Sequence, residues 1–357
     1  MKPTTPFLIL FVVMALIAAC SPLANAADTP SADAPRTLTV MTHDSFAVSE
    51  ALIAQFEAEH NVQISFVKSG DTGAALNKAI LSKENPLADV FYGVDNTFLT
   101  RALNEGIFET YESPLLEAIP DSFKLDPTYQ ASPVDFGDVC INYDKAYFAK
   151  HDLALPETLT DLTRPEYAGL LVTENPATSS PGLAFLMATV AEFGEEGYPT
   201  YWQSLKDNGL VVASDWETAY YTNFSGSTGQ GPQPMAVSYG SSPAAEVIFS
   251  ETELPEPPTA SFTGANMCFR QIEFVGILKG TENRELAEAF VDFMLSVPFQ
   301  EDIPLQMFVF PVNVEAALPQ AFVDSVQIPE EPAALSPEQI DANRETWINA
   351  WMEIVLP

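Results

Sequence analysis

From Leu38 onward, two kinds of apolar pattern take turns along the chain. Short runs such as Leu38-Thr39-Val40-Met41-Thr42, Val62 to Val67 and Asp89 to Gly93 have the length and residue types of strands. Between them, apolar residues recur at helical spacing. Val48, Leu52, Ile53 and Phe56 form one such face, and Leu76, Ile80 and Leu81 a second, in a helix begun by Asp71-Thr72. Asp95-Asn96 opens a third helix, which runs through Leu103 and is closed by Gly106. The order βαβαβα predicts a parallel sheet covered by helices. The middle of the chain repeats it, with strands expected over 138–143, 169–173, 210–213 and 235–239. Helices are expected over 182–193, 198–206, 216–224 and 243–249, with Gly- and Pro-rich loops at 225–234 and 252–258. A long strand-like run returns at 266–278, followed by a helix over 284–295. A last helix from Pro337 to Val355 carries Ile340, Trp347, Ile348 and Trp351 on its apolar face.

Two α/β units joined by more than one crossing of extended chain predict a two-lobed molecule that closes by hinging. The first lobe is expected over 37–137 plus about 266–312, and the second over 138–265 plus about 313–357. No internal sequence repeat is visible.

The first twenty residues change the picture of where the molecule works. Lys2 is followed by an apolar stretch from Phe7 to Ile17, too short to span a bilayer, and then by Leu16-Ile17-Ala18-Ala19-Cys20. This resembles a bacterial lipobox, so residues 1–20 are expected to be a lipoprotein signal with Cys20 lipidated. The competing reading is a plain signal peptide cut near Ala24-Asn25-Ala26. Either way the protein is exported, to a periplasm or a cell surface. The stretch 21–36, rich in Ala, Pro, Ser and Asp, reads as a disordered tether. Export leaves Cys140 and Cys268, which are either one disulfide or two buried thiols.

With 15 Lys and Arg against 49 Asp and Glu, the formal net charge is −34. That excludes phosphate-neutralising nucleic-acid binding and disfavours docking on anionic lipid, so a lipid anchor is the expected membrane contact.

In open α/β sheets a ligand binds beyond the carboxyl ends of the strands. The rule selects Asp44-Ser45, Asp95-Asn96, Thr178 to Gly182, Ser214-Asp215-Trp216 and Ser238 to Ser242. Asp44, Asp95 and Asp215 offer charge, Trp216, Tyr220 and Tyr239 aromatic faces, and the serines and helix starts hydrogen-bond donors. The plainer readings are N-caps for Asp44, Asp95 and Ser179-Ser180, and core packing for Trp216 and Tyr220. Together these ends predict a cleft for a small ligand with an aromatic or cationic part and a polar or anionic end. Enzyme signatures are missing: His43 beside Asp44 implies no nucleophile, and there is no HExxH, G-x-S-x-G, P-loop or zinc spacing.

The segments LTVMTHDSFAVS, ADVFYGVDNTFLTRALNEGIF, TENPATSSPGLAFL, SDWETAYYTNF, VSYGSSPAAEV and FVFPVN resemble the thiamine-binding proteins of bacterial ABC importers. The likeness runs from about Leu38 to Trp351. D-S-F after the first strand, G-V-D-N after the third and S-Y-x-x-S-P carry it best. It implies a type II periplasmic-binding-protein fold, α/β and two-lobed, with mainly parallel sheets and two or three hinge strands. It also implies capture of thiamine or its phosphates and delivery to a permease, by a monomer without cofactor or metal. By the resemblance, Asp44, Ser45, Asp95, Asn96, Trp216, Tyr220, Tyr239, Ser241 and Ser242 are cleft or ring-contacting positions. Ser179, Ser180 and Gly182 match the loop at the ligand's oxygen-bearing end, and Phe308 stands where the family places a Trp. Competing readings are a ferric-iron binder using Tyr220 and Tyr221, a polyamine binder, and a surface enzyme.

Overall fold

The structure, a computed structural model, describes residues 36–226, 230–250 and 252–356. The expected signal, the lipidated Cys20 and the tether lie outside the described residues, except that Arg36 already belongs to the first strand. The first part of the chain runs β1 (Arg36–Thr42), α1 (Glu50–His60), β2 (Val62–Lys68), α2 (Thr72–Leu81), β3 (Val90–Asp95), α3 (Leu99–Asn104) and β4 (Phe108–Glu109). The middle part is β5 (Ser132–Asp144), α4 (Lys145–His151), β6 (Leu171–Glu174), α5 (Ser180–Asp207), β7 (Val211–Ala213), β8 (Met235–Tyr239), α6 (Ser242–Ile248) and β9 (Thr259–Phe262). The chain ends with β10 (Phe269–Leu278), α7 (Arg284–Leu295), α8 (Val297–Gln306), β11 (Phe310–Pro311), α9 (Gln320–Ser325) and α10 (Pro337–Val355).

The main strands form one continuous mixed sheet in the order β2-β1-β3-β10-β5-β8-β6-β7. Its two ends are alike. β1 pairs in parallel with β2 and β3, and β6 pairs in parallel with β7 and β8. Each wing therefore has its first strand in the middle, so a crevice opens beyond the C-terminal end of that strand, where the chain leaves to opposite sides. Between the wings lie β10 and β5, antiparallel to each other and to their outer neighbours.

The two middle strands pass from one hydrophobic core into another. Phe136 on β5 and its partner Ile272 on β10 belong to a core with β1, β3 and α7, whose Phe290 and Met294 are fully buried. Three residues along, Val139 and its partner Phe269 belong to a second core with α5 and α10, where Trp202 and Trp351 meet edge to face. At the changeover Arg270 donates twice to the buried Asp138 carboxylate, at 2.9 and 2.8 Å. Cys140 and Cys268 are joined as a disulfide one step further on.

Several elements differ from the sequence pattern. The face expected on α1 buries only Phe56, and Leu81 at the end of α2 is 88% exposed. The two helices expected over 182–193 and 198–206 are continuous in α5 apart from a break at Gly194, with φ +68°. The helix expected over 216–224 is a wide π-turn, Thr218–Asn223. α8 is not foreshadowed by the apolar pattern, because its prolines at 298 and 304 interrupt the period.

The disulfide closes a sequence separation of 128 residues. Replacing both cysteines by serine is expected to lower unfolding stability by about 2–4 kcal/mol, measured by denaturant titration; an unchanged midpoint would show that the crossing strands do not need the bridge.

Candidate functional site

A cleft of about 810 Å³ lies between the two wings. Its walls are strand ends and helix beginnings. His43, Asp44 and Ser45 follow β1, and Asp71 caps α2. From the second wing come the turn before α5, the Asp215-Trp216 turn after β7 and the end of β8. The segment 306–309, between α8 and β11, closes one side.

One wall is aromatic and internally braced. The rings of Trp216 and Tyr220 stack at 5.3 Å with 15° between planes, because the wide turn brings them onto one face. Trp216 donates its indole N–H to Ser238 at 2.9 Å, and Tyr220 donates its hydroxyl to Glu246 at 2.8 Å. Tyr239 lies across Gly137 of β5, where a Cβ would stand 2.7 Å from its ring. Burial, with Glu273, Asp71 and Asp95 nearby, holds the Tyr239 phenol far above the usual tyrosine value. Phe308 faces the cleft in a left-handed conformation, φ +61°. Its carbonyl accepts from Ser241 at 2.5 Å, and its ring meets that of Phe249 at 4.8 Å.

The opening of α5 is held from across the cleft. Ser180 donates its backbone N–H and its hydroxyl to Asp71, each at 3.1 Å. Ser179, 4% exposed, also faces the cleft, and its hydroxyl has no partner among the described residues. Asp44 accepts from the Gly70 N–H and remains exposed, as does Ser45.

Of the sequence-derived residues, Asp44, Ser45, Ser179, Ser180, Trp216, Tyr220, Tyr239, Ser242 and Phe308 line the cleft, and Tyr221 joins them. Asp95, Asn96, Gly182 and Ser241 do not. Asp95 is 1% exposed and accepts from the Thr97 N–H and hydroxyl; α3 begins four residues later, so this carboxylate caps a turn instead of a helix. Burial pushes the Asp95 carboxyl up to about 7, against the bonds from Thr97. The Asn96 side chain clips the edge of β10, donating to the Arg270 carbonyl and accepting from the Ile272 N–H. Gly182 serves close packing: a Cβ there would lie 2.6 Å from the Glu174 carbonyl.

The strand-end rule overlooks Glu273, which lines the cleft, and the buried polar groups that lie behind the lining. Glu273 on β10 lies 3.5 Å from the His43 Nε2, an ion contact longer than a full hydrogen bond. The Tyr92 hydroxyl stands 2.5 Å from Asp135 and 2.9 Å from Glu273. Burial raises the Asp135 carboxyl well above its usual range, and the Glu273 charge adds to the shift. Burial acts on Glu273 too, but His43 and the bonds from Tyr92 and Asp135 outweigh it and leave Glu273 lowered. Asp135 therefore keeps the proton and Glu273 the charge. Glu174, at the end of β6, is fully buried with neither carboxylate oxygen partnered among the described residues. Burial drives it well above the usual range, so it is neutral.

The cleft lining thus carries six carboxylic side chains, Asp44, Asp71, Asp215, Glu217, Glu246 and Glu273. His43 is its one base; no Lys or Arg lines it among the described residues. Such a site favours an organic cation with a flat ring. Asp71 was legible only as a helix cap, and Glu273 sits inside an apolar strand run where nothing local marks it.

Comparison with known proteins agrees with this architecture. A match to the family described as "Bacterial extracellular solute-binding protein" spans residues 85–332. The thiamine-binding periplasmic protein of Brucella suis is 30% identical over 330 residues, 90% of this chain and 93% of that one. A solved periplasmic thiamin binding protein superposes with a TM-score of 0.78 and 26% identity, covering 90% of this chain and 97% of the other. Iron-bound HitA from Pseudomonas aeruginosa shares the fold, with a TM-score of 0.73, 20% identity and coverage of 90% and 100%. The fold is that of the two-lobed type II periplasmic binding proteins. From its sequence and its architecture alike, this chain belongs to the bacterial extracellular solute-binding proteins.

Proposed function

We propose that the protein captures thiamine, or one of its phosphates, in this cleft and hands it to the permease of an ABC importer. The observation that carries the reading is the braced Trp216–Tyr220 wall in a cleft with six carboxylic side chains and no Lys or Arg among its described residues. A thiazolium is a flat permanent cation and matches both features. In this reading Trp216, Tyr220, Tyr239 and Phe308 pack on the rings. Asp44, Asp71 and Asp215 supply negative potential, and Ser179, whose hydroxyl has no partner among the described residues, offers it to the guest's oxygen-bearing tail. In this reading the guest is carried and not converted, in keeping with the thiamine-binding periplasmic relatives. The periplasmic relatives support an exported protein, and attachment through a lipidated Cys20 would keep it near its permease.

The lobes are proposed as 37–137 with about 266–312, and 138–265 with about 313–357, turning about β5 and β10. The fold shared with an iron-bound protein makes ferric iron the second reading, with Tyr220 and Tyr221 as phenolate ligands. Against it, the Tyr220 hydroxyl already serves Glu246, and its ring stands at 89° to that of Tyr221.

Trp216→Ala and Tyr239→Ala are each expected to cost about 1–3 kcal/mol of thiamine affinity by titration calorimetry. Unchanged affinity in both would reject this cleft. A visible tyrosinate band on addition of ferric iron, with no heat from thiamine, would favour the second reading. Small-angle scattering should show a smaller radius of gyration with thiamine than without; equal radii would argue against hinge closure.

A further inference from the structure

His43 is the only base among the described residues lining an otherwise acidic cleft, and it stands against the Glu273 carboxylate. Its Nε2 is 3.5 Å from Glu273, and the two side chains are only 12% and 13% exposed. Both still face the cleft, so a guest can reach them. The groups around the imidazole come from several elements. Glu273 faces it from β10, Asp71 from the start of α2 and Lys68 from the end of β2. Tyr92 of β3 packs its ring at 5.5 Å, and Asp44 is the next residue in the chain. Behind Glu273, Asp135 of β5 is joined through Tyr92. The Lys68 ammonium, bonded to the Asp44 carbonyl, lowers the imidazolium and so opposes Glu273 and Asp71.

An organic cation entering this cleft meets a carboxylate already paired with a proton-bearing ring. Two positive charges beside one buried carboxylate repel strongly at reduced dielectric. A permanent cation cannot lose its charge, whereas an imidazolium can. We propose that uptake of the cation expels the proton of His43, the guest replacing the imidazolium as the partner of Glu273. The inference rests on the reading of the cleft as a site for a cationic guest. Burial on its own lowers the His43 imidazolium, but Glu273 and then Asp71 outweigh it, and the group titrates above the ordinary histidine value. The free protein therefore holds this proton more tightly than an ordinary histidine does. Linkage fixes the sign: the slope of log affinity against pH equals the number of protons released. Affinity rises with pH, by at most about tenfold per pH unit, and levels off above the free protein's His43 titration.

The test is calorimetry with thiamine from about pH 6 to about pH 9, the histidine range and just above it, in phosphate and in Tris, whose ionisation heats differ. The expected result at the acid end is a buffer-dependent heat corresponding to release of up to one proton, together with affinity that climbs and then flattens. His43→Asn and His43→Gln should bind with buffer-independent heats and a flat pH profile. Flat affinity and buffer-independent heats in the unmodified protein would overturn the proposal. So would undiminished proton release in both variants. No binding of thiamine at any pH would instead overturn the reading of the guest, and this inference with it.

Discussion

The pairing of β5 with β10 is the constraint on which the rest depends. These strands are the seam of the sheet, and each belongs to both hydrophobic cores. Their register sets Phe136 against Ile272 in one core and Val139 against Phe269 in the other. A slip of one residue would turn each strand's inward side chains outward in both cores at once. The Asp138–Arg270 pair and the Cys140–Cys268 bridge sit at the changeover and pin that register. Because each wing hangs from one side of the seam, fixing the seam also fixes which strand ends confront each other across the cleft.

The acidity of the cleft differs in kind from that of the surface. Charges spread over the exterior are screened within about 8–10 Å at physiological salt. Glu273, Asp135 and Glu174 are largely withdrawn from water; Asp135 and Glu273 are linked through Tyr92, and Glu174 is shifted chiefly by burial. Asp135 and Glu174 stay neutral, and Glu273 is ionised because it has His43. The aromatic wall is fixed by similar means, its Trp216 anchored to Ser238 and its Tyr220 to Glu246. Side chains ordered by their neighbours in this way lose little freedom when a guest arrives.

What could be read from the sequence follows from how local each signal is. β1, β2, α2, α7 and α10 were legible because their apolar periods and caps lie within a few consecutive residues. The strand-end rule selects Asp44, Ser179, Ser180, Trp216 and Tyr239, which line the cleft because in parallel wings those ends face one crevice. It also selects Asp95 and Asn96, which do not line the cleft: a turn separates the strand from Leu99, and their polar side chains bond Thr97 and β10. It fell short at Asp71, which caps its own helix and also reaches Ser180 in the other wing. His43 was visible but had no evident partner, because Glu273 lies 230 positions away and meets it only through long-range strand pairing.

The bridge at the seam also has a consequence for survival outside the cell. Everything between Cys140 and Cys268, including the whole parallel wing of β6, β7 and β8, forms a covalently closed loop. A protease that cuts once within this loop, for example in the Gly- and Pro-rich stretch before β8, opens the ring without releasing a fragment. Such a nicked molecule would migrate as one piece until reduced, with both halves of the binding cleft still chained together.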